Sequence, residues 1–119
     1  MIGYLADIVV ALVAISHLGF LVLEMFLWEK PVGLRVFRQT AERAAITRAL
    51  AANQGLYNGF LATGLFWGLM PGTGVSAIKT FFLACVIVAG IFGAATVSCR
   101  IFWIQAAPAA IGLLLVLLS

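Results

Sequence analysis

The sequence predicts an all-α polytopic membrane protein, a four-transmembrane-helix bundle forming one domain over residues 1–119, with its second helix extended into the cytosol. Three observations predict it. Hydrophobic residues make up 65% of the chain and charged ones 9%, at a mean hydropathy of +1.20. A soluble domain of this size keeps too much surface to hide that much apolar material. Residues 8–28, 50–70, 80–97 and 101–118 form four apolar runs, each near the ~20 residues a helix needs to cross a bilayer. Finally, the basic residues gather in one connection rather than being spread along the chain.

The first run follows MIGYLAD, which carries Asp7 and no basic residue. A signal peptide needs a basic n-region, so this run is expected to stay as a span. Pro31 and Gly33 break the helix just beyond it. Thr40 is placed to cap a new helix starting at Ala41, with Glu42 in its first turn. No breaker follows until Gly55, so this second helix should begin outside the bilayer and run into it. The segment PGTGVS, 71–76, makes a tight turn. The connection at 98–100 is so short that the third and fourth helices should form an antiparallel hairpin. Pro108, within AAPAA, should kink the fourth helix and free the carbonyl of Ile104. Cys85 and Cys99 fall on one predicted helix, separated by about 21 Å of rise, too far to bridge. No cysteine or histidine spacing points to a metal, and no cofactor is expected.

Lys30, Arg35, Arg38, Arg43 and Arg48 lie in the first connection and Arg100 in the third, against Lys79 alone on the other side. The positive-inside rule then places both termini outside a bacterial cytoplasmic (inner) membrane. The same asymmetry argues against insertion in two orientations, so any dimer should be a parallel homodimer. The basic loop sets orientation, and an added role in binding anionic headgroups is the alternative. A net charge of +3, localised in this way, does not point to nucleic acid.

The polar residues inside the apolar runs carry the functional reading. His17 and Glu24 are seven residues apart, which returns to the same helix face after about 10.5 Å of rise. The second helix adds Asn53, Gln54, Tyr57 and Asn58, while Gly55 and Gly59 read as a separate small-residue packing seam. The last two helices add Arg100 and Gln105 near the same end. Ionisable residues within a membrane mark functional sites by default. Turned inward, these side chains would line a pocket open to the cytoplasmic side, with His17 at its floor. The plainer alternatives are a shallow Glu24 that snorkels or pairs with Arg48 or Arg100, and amides that only glue helices together.

The segments EMFLWEKPVGLRVF, AANQGLYNGFLATGLFWGL and GIFGAATVSCRIFWIQAAPA together resemble the small bacterial membrane proteins grouped as domain of unknown function 1304. Glu24, Trp28, Glu29, Asn53, Gln54, Gly55, Tyr57, Asn58, Gly59, Ser98 and Arg100 match its characteristic segments, while Cys99 stands where a second basic residue is expected. The resemblance implies four membrane helices and no established activity.

Two classes of function follow. The first is binding or transport of a small polar or cationic solute, with Glu24 as its charge partner or proton carrier. The second is a membrane enzyme acting on a lipid or small amphiphile, with Glu24 or His17 as general acid or base. No nucleophile is spaced to meet a base, so catalysis ranks lower. A third reading is a structural or accessory subunit whose polar layer fixes helix register.

Overall fold

The computed structural model describes all residues, Met1–Ser119. The chain is all-helical, without strands. Its elements are α1 (Ile2–Met25), α2 (Pro31–Val36), α3 (Ala41–Gly68), α4 (Val75–Thr96), a π-helical turn (Phe102–Ala106) and α5 (Ala107–Leu118). It forms two compact units, one of Met1–Ile15 with Leu61–Ser119 and one of Ser16–Phe60.

Several boundaries follow directly from local chemistry. Thr40 caps α3, its Oγ1 accepting the backbone N–H of Arg43 at 3.2 Å. The turn before α4 carries Gly72 at φ 138° and Gly74 at φ 81°, values open to glycine because it has no Cβ. α1 ends at Met25, short of the expected Trp28. Pro31 has no N–H to give the carbonyl of Leu27, and it holds Lys30 extended at φ −79°, ψ 159°. The helix therefore closes a turn earlier, with the N–H groups of Phe26 and Leu27 both on the carbonyl of Val22. Pro31 then opens α2, a helix that the sequence pattern does not predict, because its fixed φ suits a first helical position. Past the end of α2, Arg38 adopts a left-handed φ of 52°, and Gln39 N–H reaches back to the carbonyl of Leu34.

In the first unit, segments of α1, α3, α4 and α5 supply one apolar core, including Val10, Leu65, Leu83 and Val116. α4 and the helix after it form an antiparallel hairpin. A Cβ on Gly90 would stand 2.6 Å from the backbone nitrogen of Ala106, and one on Gly93 would stand 2.9 Å from Ile101 Cγ2. Helix axes come that close only where a side chain is missing. The disturbance expected at Pro108 takes the form of the π-helical turn just before it, which absorbs the missing N–H. Cys99 lies beyond the end of α4, not on one helix with Cys85, and both are free thiols. Lys79 Nζ holds Asp7 Oδ1 at 2.8 Å, tying α4 to the start of α1.

α1 and α4 are long and apolar enough to cross a membrane, and only 22% and 17% of their most apolar windows are buried inside the chain. A core helix of a soluble protein would hide most of its surface. Here Ile8, Leu12, Ile15, Phe81, Val88 and Phe92 all stand exposed. Apolar surface on this scale points to a lipid environment. Phe102–Leu118 is a shorter apolar helix. α3, at 28 residues, is about 42 Å long and exceeds the ~30 Å hydrocarbon layer.

Candidate functional site

The second unit holds His17, Glu24 and the polar residues Asn53, Gln54, Tyr57 and Asn58 of α3. Between α1 and α3, the close approach falls at two glycines. A Cβ on Gly55 would meet Met25 Cγ at 2.5 Å and Glu24 Cβ at 3.2 Å, and one on Gly59 would meet Leu21 Cδ1 at 2.8 Å. Asn58 lies three residues past Gly55, about 60° away around the helix, and so belongs to the same face. It is 4% exposed.

This contact brings Asn58 to Glu24. Asn58 Nδ2 donates to Glu24 Oε1 at 2.5 Å. Asn58 Oδ1 is buried and has no hydrogen-bond partner. A buried amide oxygen left unpaired is unfavourable by about 1–3 kcal/mol, and here it sits on the residue that holds a half-buried carboxylate. The pair thus presents oxygen acceptors, the Asn58 Oδ1 and the Glu24 carboxyl group. What complements it is a group rich in N–H or O–H donors, above all a cation.

The other expected site residues are placed as follows. His17 is buried at 1% exposure, edge-on to Phe20 with ring centroids 5.2 Å apart. Asn53, Gln54 and Tyr57 lie on the exposed side of α3, with Tyr57 tilted against Phe60. Only Asn58 of those four α3 residues is buried. The amide face and the glycine seam, read from the sequence as separate, therefore overlap at Asn58. Arg100 and Gln105 are half-buried members of the first unit, with Gln105 in the π-helical turn.

One structural feature near the site had no clear sequence signal. Trp28 Nε1 donates to the Ala44 carbonyl at 3.1 Å and to Thr47 Oγ1 at 3.2 Å, and its ring lies 4.8 Å from that of Phe37. Thr47 in turn donates to the Arg43 carbonyl at 2.8 Å. Trp28 thereby clasps the chain after α1 to the first turns of α3. Glu29 and Arg48, 3.5 Å apart, add an exposed ion pair, so Arg48 faces Glu29. Trp28→Phe keeps the ring but removes both indole hydrogen bonds. It should lower stability by about 1 kcal/mol, read as a fall in the thermal unfolding midpoint in detergent.

A family model described as protein of unknown function (DUF1304) matches residues 11–117, nearly the whole chain. The chain belongs to this family. The match to DUF1304 takes in Glu24, Asn58 and the Trp28 clasp alike. No curated protein and no solved structure matches the chain. Function in this DUF1304 member is therefore to be sought in the chemistry of the site itself.

Proposed function

We propose that this DUF1304 protein is a four-span protein of the bacterial cytoplasmic membrane, with both termini outside, that binds and carries a small cationic or polar solute at Glu24. α1 and α4 support two spans by length and composition, and the shorter apolar helix Phe102–Leu118 and the apolar part of α3 from Leu50 onward would supply the others. The basic residues between α1 and α3 support the orientation. The observation that carries the functional reading is the Glu24–Asn58 pair, with its unpartnered amide oxygen beside a carboxylate. A donor-rich cation satisfies both groups at once. Asn53, Gln54 and Tyr57, exposed on α3, favour cover by a second copy, because amides facing lipid are costly. The charge asymmetry makes that copy parallel.

A second reading is favoured by the place of Asn58 on the glycine seam. There it would serve as interhelical glue in a structural or accessory subunit. Flux separates the two. In proteoliposomes, uptake of methylammonium should fall about tenfold or more in Glu24→Gln while circular dichroism stays unchanged. Unchanged uptake would rule out the carrier role of Glu24.

A further inference from the structure

The elbow between α1 and α3 carries a charged surface that the Glu24 site does not use. Lys30, Arg35, Arg38 and Arg43 are all exposed there. Of the acidic residues nearby, Glu29 is engaged by Arg48 and Glu42 is exposed beside Arg43. Apolar side chains stand between these cations. Val32 and Val36 are exposed on α2, on the same side as Arg35. Ile46 and Leu50 are exposed on α3, following Arg43 on one stripe. The Trp28 clasp holds the two segments together.

Arg38 adds an independent observation. It occupies the left-handed position that closes α2, where glycine is the unstrained choice. The chain keeps an exposed arginine there at a conformational penalty. An outlier retained against local preference points to a role for the side chain.

We infer that this elbow binds the phosphate headgroups of anionic phospholipids. Arg35, Arg38, Arg43 and Lys30 engage the phosphates, and Val32, Val36, Ile46 and Leu50 enter the acyl boundary beneath them. Cations interleaved with exposed aliphatic groups on the same helix faces suit a leaflet surface, where anionic headgroups border hydrocarbon. A soluble acidic partner would need the charges but not the aliphatic rows. The inference rests on the membrane reading and is independent of the Glu24 site.

The test uses the full chain in a neutral maltoside detergent, with thermal unfolding midpoints measured alone and with phosphatidylglycerol, phosphatidylcholine or glycerol phosphate. Phosphatidylglycerol should raise the midpoint by about 4 °C or more, and the other two should not. The variant Lys30→Gln/Arg35→Gln/Arg38→Gln/Arg43→Gln should lose that rise. Arg38→Gly alone should gain a few degrees in detergent, because the left-handed strain is relieved, while its response to phosphatidylglycerol shrinks. Because that variant keeps the fold, it decides the matter even where the fourfold variant does not fold. Glu24→Gln should keep the full phosphatidylglycerol response, which separates failure of this surface from failure of the solute site. An equal rise with phosphatidylcholine or glycerol phosphate, or an undiminished response in Arg38→Gly and the fourfold variant, would overturn the inference.

Discussion

Asn58→Leu is expected to lower the unfolding free energy by about 2 kcal/mol, and adding Glu24→Leu is expected to restore most of that loss. Leucine is close to asparagine in size, so the glycine seam between α1 and α3 stays filled. What disappears is the Nδ2 donor to Glu24, which leaves a half-buried carboxylate without it. Hydrogen bonds to charged groups are worth about 1.5–3 kcal/mol, and an orphaned partner bears most of that penalty. Glu24→Leu alone strands the Asn58 amide at both ends, since Oδ1 already lacks a partner. Removing both polar groups leaves nothing stranded, so the two single losses should exceed the double one. Denaturant unfolding of the four proteins in detergent gives the coupling directly. The same set tests function. Under the solute-binding reading, the double variant regains stability and still shows no methylammonium uptake. If the double variant restored uptake along with stability, the pair would be interhelical glue and the solute site would lie elsewhere.

Gly33→Ala is expected to destabilise the protein by about 3 kcal/mol, at the upper end for an overpacking change. A Cβ there would sit 2.0 Å from the carbonyl oxygen of Leu27 and 2.9 Å from that of Trp28. These are backbone atoms, with no rotamer through which to yield. The elbow must open, and opening it pulls Trp28 away from Ala44 and Thr47. The measurable result is a lower unfolding midpoint together with a red shift in tryptophan emission as the indole meets water. Val32→Ala, one residue away on the exposed side of α2, should stay within about 0.5 kcal/mol of the parent. A Gly33→Ala protein with the parent midpoint would show that α2 does not pack on the end of α1 in this way.

The contrast between these positions shows what could be read from the chain alone. The start of α3 at Ala41 was legible because a hydroxyl at Thr40 satisfies a local backbone donor, an interaction confined to four residues. The turn at Gly72 and Gly74 was legible for a similar reason, since conformational freedom belongs to the glycine itself. The α4 hairpin followed from a connection too short for anything else. α2 was not legible, because a proline both ends the helix before it and begins the helix after it. Nor was the overlap of polar face and packing seam on α3. Helical phase alone spread Asn53, Gln54, Tyr57 and Asn58 over one broad arc, and only packing against Leu21, Glu24 and Met25 selected Asn58 from the four.

The sequence by itself determined the all-helical class, the length of the apolar runs, the gathering of basic residues between the first two of them and the membership in DUF1304. Those properties are sums over composition and local preference, and they survive any particular packing. Only the tertiary structure decided that Glu24 is held by Asn58, that Asn58 keeps an acceptor unpaired, and that Trp28 clasps α3. Each of these depends on which atoms of distant segments come within hydrogen-bond reach. Hydrogen bonds fall off within an ångström or so, whereas helical periodicity places a side chain only to within tens of degrees.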